Sequence, residues 1–481
     1  MYGVLYYSWR MDFVGRTREL ALLARELSRV QASMGTAAPG RCLLVRGRRR
    51  VGKSRLIEAF VGTQTAPTLF FTASRQGDAE LGHFAGEAAR STLPGATLFE
   101  GLALADWDAA LRLLHAALPD DRVSIVVIDE FPYLLEGRRD VEATFQKQWD
   151  RLLSRKPVLL LLIGSDLAVM EALNTHGRAF YQRGSEFVVR PLSPVETGAI
   201  VDSPSAADAF DAYLVSGGMP LVCRDWPRGA SLWEFLSQSL SDETSALVVS
   251  AHRTLSAEVP EQYSAGAVLR AIGNGERTFA NIARASGLAG SSLSVALETL
   301  IQKRIVAKDV PLSTKPSRES RYRIRDPYLR FWLTFVEGSM PEIERGRGDR
   351  VVDRIRASWS SWRGAAVEPV VREAIRRLAP LDGLPQADAV GGYWTRSNDP
   401  EVDIIGGDRE PVARVIHFAG SVKWRDEAAF EQTDLHRLAA LVARVPGASP
   451  ETPLLVVSRS GVRARGMACA LGPEELLEAW R

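Results

Sequence analysis

Short apolar runs separated by amphipathic stretches fill the first part of the chain. Runs typical of strands buried on both faces of a sheet lie at 42–45, 68–72, 123–128 and 157–163. Apolar residues at helical spacing lie before or between them, at 19–27, 53–60 and 107–117. Because helices that alternate with buried strands cover both faces of a parallel sheet, this pattern predicts a three-layer α/β fold.

The pattern changes beyond this region. Helical spacing prevails over 194–255, and three short helical patterns follow over 261–310. A helix-rich linker extends to about residue 360, and strand-like and helical runs alternate again over 362–481. The chain is therefore expected to hold a second, smaller α/β domain after a helical middle.

Length and composition narrow the class of protein. A chain of 481 residues suggests roughly three domains. Lys and Arg number 60 against 58 Asp and Glu, so the net charge of +2 does not by itself mark a nucleic-acid-binding protein. Three scattered cysteines and six dispersed histidines predict neither a disulfide framework nor a zinc site, and they favour a reducing cytoplasm. The longest aliphatic run, 158–163, is too short for a membrane helix, so no membrane partner is expected.

The chain contains a candidate phosphate-binding loop. Residues 47–54 read Gly-Arg-Arg-Arg-Val-Gly-Lys-Ser and fit the pattern G-x-x-x-x-G-K-[ST] between a predicted strand and a predicted helix. In that setting, backbone N–H groups and the helix N-terminus bind phosphate. Lys53 is predicted to reach the β- and γ-phosphates, and the Ser54 hydroxyl to ligate Mg²⁺. The predicted nucleotide-binding residues of the loop are Gly47, Arg50, Val51, Gly52, Lys53, Ser54 and Arg55.

Acidic and polar residues follow two of the buried strands. Asp129 and Glu130 close the strand at 123–128, where the carboxyl ends of parallel strands face a ligand crevice. Asp129 is predicted to hold the Mg²⁺ coordination shell, and Glu130 to orient or deprotonate the attacking water. Ser165, which follows the strand at 157–163, is a candidate contact for the γ-phosphate or that water.

Two arginines downstream of these strands are candidates for neutralising charge in the transition state. They are Arg178 and Arg183, and a solvated surface arginine is the alternative interpretation for each. The predicted catalytic residues are Glu130, Ser165 and Arg183.

Several segments in this order resemble the archaeal-type ATPase family, which lies within the AAA+/STAND branch of P-loop ATPases. They are 13–16 with Glu19 and Leu20, the phosphate loop, 128–134, Gly164 with Ser165, 181–183 and 216–220. The resemblance implies ATP rather than GTP, and it implies that the segment 13–16 lies near the adenine. Val14 and Gly15 therefore join the predicted nucleotide-binding residues. The family usually has Gly-Arg where this chain has Gln182 and Arg183.

The middle of the chain is similar to a winged helix-turn-helix. Helical patterns at 278–287 and 290–300 flank a Gly-containing turn, and 305–325 is predicted to form a two-stranded wing. Residues 303–330 carry nine Lys or Arg against three acids, which makes DNA a candidate partner of 278–330. A protein–protein module is the alternative, because the second helix has no Arg, Lys, Asn or Gln before Gln302.

The C-terminal segment resembles the restriction-endonuclease-like (PD-(D/E)xK) fold. Glu368 on a predicted helix, Asp403 on a predicted strand over 394–405, and Lys423 at the end of a strand over 413–424 follow its order. An active site of this type needs a carboxylate pair for Mg²⁺ and a lysine near the attacking water. Ser421 stands where the second acid is expected, so a degenerate, non-cleaving domain is favoured.

These interpretations predict four domains. They are a P-loop ATPase core (12–195), a helical lid (196–255), a winged helix (256–335) and a restriction-endonuclease-like domain (345–481). The predicted function is an ATP-binding, Mg²⁺-dependent ATPase that acts as a nucleotide-gated switch on C-terminal modules that bind DNA or a protein partner. An ATP-regulated, metal-dependent DNA nuclease is the alternative. A homo-oligomer is required only if the arginine is supplied in trans.

Overall fold

A computed structural model describes residues 14–75, 77, 79–136, 139–178, 180–258 and 263–481. The chain divides into two compact units, one that ends at Pro191 and one from Leu192 to Arg481. The predicted role of Phe13 lies outside the described residues. The finer division into four domains remains a prediction.

The first unit is built on a parallel five-stranded sheet. Its strands are β1 Arg41–Arg46, β2 Thr68–Thr72, β3 Ser124–Asp129, β4 Val158–Gly164 and β5 Gly184–Val188, in the order β2-β3-β4-β1-β5. Its helices are α1 Thr17–Ala32, α2 Lys53–Gly62, α3 Ala79–Ala89, α4 Trp107–Ala117, α5 Pro132–Leu135, α6 Arg139–Arg151 and α7 Leu167–Leu173. Short 3-10 helices span Ala96–Phe99 and Leu153–Arg155.

Residues on both faces of this sheet are buried, as the apolar runs predict. Every residue of β3 and β4 is buried. Side chains of one face pack with α3, α4 and α6 in a core that includes Phe71, Phe84, Trp107 and Phe145. The other face is covered by α1, which contacts β4. The carboxyl ends of β3 and β4 therefore lie side by side in a rigid setting.

The second unit joins a helical part to a smaller sheet. Its helices are α8 Pro194–Val201, α9 Ala206–Ser216, α10 Pro220–Asp225, α11 Leu232–Leu240, α12 Ala246–Glu258, α13 Tyr263–Gly273, α14 Phe279–Ser286, α15 Gly290–Gln302, α16 Pro327–Phe331, α17 Met340–Glu344, α18 Gly348–Leu378, α19 Gln432–Val442 and α20 Pro473–Leu477. Its strands are β6 Val306–Asp309, β7 Arg321–Ile324, β8 Ala389–Trp394, β9 Glu401–Gly407, β10 Ile416–Lys423, β11 Leu454–Ser458 and β12 Cys469–Leu471. A π-helix spans Trp332–Val336, and 3-10 helices span Glu337–Ser339 and Glu478–Trp480.

The smaller sheet has the order β12-β11-β10-β9-β8. β8, β9 and β10 pair antiparallel, whereas β10, β11 and β12 pair parallel. Apolar residues of α18 pack with Phe418, Leu455 and Val457, and Leu438 of α19 packs with Ile405 and Ala419 in a separate cluster. Helices therefore cover the sheet on both faces.

The predicted single strand over 394–405 is wrong, because β8 ends at Trp394 and β9 begins at Glu401. Two residues interrupt it. Pro400 lacks a backbone N–H for a strand ladder, and Asn398 has a left-handed φ of 60°. The two strands instead form an antiparallel pair. The predicted linker to about residue 360 is also not a separate segment, since α18 continues to Leu378.

The hairpin β6–β7 is joined by a segment that packs on the smaller sheet. Leu312 is buried among residues of β8, β9 and β10, and its N–H donates to the Gly392 carbonyl at 2.9 Å. The Ser313 carbonyl accepts from Ala413 N–H at 2.9 Å. The segment between β6 and β7 therefore covers the edge strand β8.

The predicted fold class is confirmed: the protein is α/β, with a parallel five-stranded sheet and a second, smaller sheet domain. None of the described helices combines the length and apolar character needed to cross a bilayer.

Candidate functional site

The segment from Gly47 to Ser54 forms a tight loop between β1 and α2. A Cβ atom at Gly47 would lie 2.3 Å from the Val189 carbonyl oxygen, so only glycine fits there. Gly52 has a left-handed φ of 84°, which lets the chain enter α2 at Lys53. The first N–H groups of α2 therefore lie at the loop, as phosphate binding requires.

Lys53 lies inside this loop. Its side chain is buried, and its Nζ donates to the carbonyl oxygens of Gly47 and Arg48 at 3.0 Å each. The ammonium group is thus held at the centre of the turn that the backbone makes. Val51, two residues before it, is fully buried, and Arg50 has a left-handed φ of 65°.

Ser54 and Asp129 meet across the crevice. The Ser54 hydroxyl lies beside the Asp129 carboxylate, which accepts from Glu130 N–H at 2.9 Å. Burial raises the pKa of Asp129, and the Ser54 hydroxyl, the Glu130 N–H and the Lys53 charge oppose that rise. The structure therefore brings together a hydroxyl and a carboxylate oxygen, which are ligands that Mg²⁺ accepts.

Glu130 is turned toward the neighbouring strand. Its backbone is left-handed, with a φ of 52°, at the point where β3 ends. Its carboxylate accepts hydrogen bonds from Ser165 Oγ at 2.8 and 3.1 Å. Because β3 and β4 are adjacent and parallel, residues that follow their carboxyl ends are neighbours. Two predicted catalytic residues thus contact each other.

The segment near residue 15 is attached to the phosphate loop. Arg16 is buried, and its Nη2 donates to the Val51 carbonyl at 2.9 Å. Val14 is 38% exposed and Gly15 has a φ of 83°. Arg55 lies on the exposed side of α2, 3.5 Å from Glu58. Arg16 belongs to a motif that the sequence analysis identified. Its contact with Val51 could not be predicted, because the two residues are far apart in the chain.

A cleft of about 510 Å³ opens beside Glu130 and Ser165. Arg178 lines it and donates from Nε and Nη2 to the two Glu142 oxygens at 2.9 and 2.6 Å. Arg183 is not among the lining residues. Its Nε donates to the Asp150 oxygens at 2.8 and 2.9 Å.

Four further residues that line this cleft were not among the predicted site residues: Arg49, Arg75, Tyr133 and Glu136. Arg49 donates to the Tyr133 hydroxyl at 3.3 Å, and the Arg75 guanidinium lies 4.6 Å from the centre of the Tyr133 ring. Arg75 also pairs with Glu136 at 2.9 Å. These contacts bring together the phosphate loop and the segments after β2 and β3, which only the folded sheet places side by side.

The C-terminal acids are engaged by neighbouring groups. Asp403 accepts from Ser421 Oγ at 2.9 Å and from Val422 N–H at 2.8 Å. Glu368 pairs with Arg372 at 3.1 Å, and burial raises the pKa of Glu368 to about 7. Lys423 ends β10 and is half-buried. Among the described residues, no group of three or more His, Cys, Asp or Glu is placed to hold a metal ion.

The predicted DNA-contacting segment has a mixed surface. Arg321 pairs with Glu401 at 2.6 Å, and Arg323 pairs with Asp309 at 2.7 Å. The exposed face of α15 carries serines, Glu298 and Val295, the last 66% exposed. Lys303 and Lys308 are exposed beside it. Two of the basic residues counted in the sequence are therefore engaged within the protein.

Comparison with known proteins finds archaeal relatives. The family model DUF234, archaea bacterial proteins of unknown function, matches residues 332–436. An uncharacterized protein of Methanocaldococcus jannaschii is 24% identical over 441 residues, which cover 89% of this chain and 92% of the relative. A second uncharacterized protein of that organism is 34% identical over 88 residues, which cover 18% of this chain and 79% of the relative. The chain belongs to the same family as this second relative.

Solved structures to which this chain is similar include the following two. A Walker-type ATPase of Pyrococcus abyssi is 20% identical, with a TM-score of 0.45 over 67% of this chain and 97% of that chain. The ORC2 protein of Aeropyrum pernix is 14% identical, with a TM-score of 0.44 over 73% of this chain and 98% of that chain. Both TM-scores are low, so nucleotide chemistry is inferred from the loop and the acids of this chain.

Proposed function

We propose that the protein binds ATP with Mg²⁺ and hydrolyses it. The observation that carries this proposal is the place of the Ser54 hydroxyl beside the Asp129 carboxylate, close to the buried Lys53 ammonium. A phosphate-binding loop, a cation and an oxygen-ligand pair are the parts that a P-loop nucleotide site needs. The contact of Ser165 with Glu130 adds an oriented carboxylate at the same crevice.

Each of these side chains has a role in the proposed reaction. Lys53 contacts the β- and γ-phosphates, and Ser54 and Asp129 hold Mg²⁺, which supplies charge neutralisation when bound. Glu130 accepts a proton from water as the water oxygen attacks the γ-phosphorus. The bond from that phosphorus to the β–γ bridging oxygen breaks, which yields ADP and inorganic phosphate. Ser165 holds the Glu130 carboxylate toward the crevice.

The adenine side of the site is assigned to the segment before α1. Val14 and Gly15 precede Arg16, whose contact with Val51 attaches this segment to the phosphate loop. That attachment supports a place for Val14 and Gly15 within the nucleotide site. Arg50 lies within the same loop and Arg55 directly follows it, and these two complete the proposed binding set. An arginine at 178 or 183 neutralises transition-state charge.

We further propose that the nucleotide state controls how the second unit binds a partner. A protein partner is favoured over DNA by the exposed face of α15, which has none of the cations and amides that read bases before Gln302 at its last position. The alternative partner is DNA, bound through its phosphates at Lys303 and Lys308. DNA binding whose affinity falls steeply with added salt would establish this alternative. Salt-insensitive DNA binding, or no DNA binding, would favour the protein partner.

A metal-dependent nuclease is the second candidate function, and the hydrogen bonds of Asp403 weigh against it. One oxygen of its carboxylate, Oδ2, accepts from both Ser421 and Val422, and Glu368 is paired with Arg372. Plasmid DNA with Mg²⁺ or Mn²⁺ tests this alternative directly. Cleavage that disappears in Asp403→Ala would establish a nuclease; intact plasmid supports the switch.

Two substitutions test the ATPase. Lys53→Ala is expected to abolish binding of a fluorescent ATP analogue, because the ammonium in the loop is lost. Glu130→Gln is expected to keep binding and to lower phosphate release by roughly 10²–10⁴-fold. Lys147→Ala is the matched control, since Lys147 is half-exposed and pairs with Asp108 at 3.0 Å. ATP binding by Lys53→Ala at the wild-type level would refute the site.

A further inference from the structure

The cleft beside Glu130 contains a guanidinium group that is fixed in position. Arg178 shares this cleft with Glu130 and Ser165. Its Nε and Nη2 donate to both oxygens of Glu142, whose side chain is 11% exposed. Such a two-bond pair fixes the plane of a guanidinium as well as its place. Nη1 takes no part in this pair.

The rival arginine is engaged elsewhere. Arg183 forms a two-bond contact with Asp150 and donates from Nη1 to the Tyr181 carbonyl at 3.2 Å. It does not line the cleft that holds Glu130. Of these two candidates, Arg178 is thus the one that the fold holds in the same cleft as the proposed general base.

We infer that Arg178 completes the hydrolytic site within the same chain, with Glu142 as its positioning residue. This inference rests on the proposed ATPase function. As the γ-phosphoryl group is transferred, charge develops on its oxygens, and an arginine at this place neutralises it. Lys53 and the metal-binding pair lie at the phosphate loop, and Arg178 supplies positive charge from the Glu130 side.

The arrangement has a consequence for assembly. An arginine supplied by a second copy would make turnover depend on oligomer formation. Arg178 is held by Glu142 of α6 in the same unit, so no second copy is needed for the chemistry. Turnover per chain is therefore expected to be independent of protein concentration.

The first test measures ATP binding and phosphate release for Arg178→Ala and Arg178→Lys in the full chain. Turnover is expected to fall by roughly 10³-fold in Arg178→Ala, with ATP binding retained within a few-fold. Arg178→Lys is expected to retain only part of the wild-type turnover, because an ammonium group cannot form the two-bond pair with Glu142. Arg90→Ala is the matched control, since Arg90 pairs with Glu87 at 2.8 Å on an exposed helix surface.

Glu142 is tested through rescue. Added guanidinium is expected to restore part of the turnover of Arg178→Ala, because Glu142 can hold it in the vacated place. The double variant Arg178→Ala/Glu142→Ala is expected to show no rescue. Rescue of equal size in both variants would overturn the positioning role of Glu142. A merely structural contribution of Glu142 would leave the extent of rescue the same in the two variants.

Mixing separates action within one chain from action between chains. Lys53→Ala retains Arg178 but lacks nucleotide binding, whereas Arg178→Ala has the opposite defect. An equimolar mixture is expected to remain inactive. Recovered turnover in the mixture, or a larger loss in Arg183→Ala than in Arg178→Ala, would overturn the inference and leave the ATPase proposal standing. A wild-type chain that does not bind ATP would refute both.

Discussion

The position of the Glu130 carboxylate depends on one hydroxyl group. Ser165 Oγ donates to both Glu130 oxygens, and Glu130 itself sits on a left-handed backbone. Ser165→Ala is expected to lower the rate constant of ATP hydrolysis by about 10-fold or more, because a general base must be held within reach of its proton. The KM for ATP is expected to change little, since Lys53 and the loop are untouched. Steady-state phosphate release measures both.

Ser165→Thr provides the comparison for this variant. It restores a hydroxyl at the same atom position, so turnover is expected to return toward the wild-type value. Equal losses in the Ala and Thr variants would show that bulk at this position matters rather than the hydrogen bond.

Glu368 makes stability depend on pH. Burial raises its pKa to about 7 from 4.5, although 31% of the side chain is exposed and Arg372 opposes the shift. Because the folded chain holds this proton more tightly, the stabilisation is complete below pH 4.5 and is lost as the pH rises through about 7. After allowance for solvent screening, the loss is about 1–2 kcal/mol.

Glu368→Gln removes this titration. The stability advantage of the wild type over this variant is expected to shrink from about pH 5 to about pH 8, as measured by thermal unfolding midpoints. Glu373→Gln serves as the control, since Glu373 lies on the same helix and pairs with Arg377 at 2.8 Å near the surface. A difference that stays constant over this range would contradict the assignment.

At the residue scale, the sequence predicted the parts of the site whose residues are close together in the chain. The spacing of the phosphate-loop residues is itself the motif, which is why it identifies Gly47, Gly52, Lys53 and Ser54. Glu142 pairs with Arg178, which is 36 positions away in the chain, and no hydrophobic or polar pattern in the sequence predicts this contact. That contact depends on where α6 and the segment after α7 pack, which is a property of the tertiary structure.

At the scale of elements, the segment between β6 and β7 belongs to the smaller sheet. Leu312 is 2% exposed and packs in the cluster that contains Ile405 and Ala419. Leu312→Ala is expected to cost about 2–5 kcal/mol of unfolding free energy, because it leaves a cavity in a packed core. Hydrogen exchange of the β8 amides, which this segment covers, measures the effect locally.

Val310→Ala is the control for this substitution. Val310 lies two residues away and is 36% exposed, so its truncation is expected to cost about 0.5 kcal/mol or less. If β8 amides exchange equally in both variants, the packing of Leu312 does not stabilise the edge of this sheet.

Elements with strong local signals were predicted well, and those set by distant contacts were not. The helix at 107–117 was predicted to the residue, because Asp106 caps it through Ala109 N–H and its apolar spacing is regular. The strand expected over 394–405 failed because the polar, turn-forming run at 395–400, which includes Asn398 and Pro400, was counted as part of the strand. The contact of Leu312 with the smaller sheet has no local signature, since it joins separate elements of the fold.

At the scale of the whole molecule, one buried ionic network ties the helical part of the second unit to its sheet. Asp211 of α9 pairs with Arg363 of α18 at 3.0 Å and with Arg459 at 3.1 Å. Asp426 pairs with the same two arginines at 2.8 and 2.9 Å. The helical part and the sheet therefore share ion pairs as well as an apolar core.

Arg363→Met tests this coupling. The Arg363 side chain is 2% exposed, and its loss leaves the buried Asp211 with a single cation, so the second unit is expected to lose about 3–5 kcal/mol of stability. ATP binding by the first unit is expected to persist, because Lys53, Ser54 and Asp129 lie before Pro191. Hydrogen exchange should then increase across residues 192–481, whereas ATP should still protect the amides around the phosphate loop from exchange.

Arg354→Met is the control for this substitution. It lies on the same helix, breaks an exposed pair with Glu342 at 2.9 Å, and is expected to cost about 1 kcal/mol or less of unfolding free energy. Similar exchange in the two variants would mean that the apolar core alone joins the helical part to the sheet.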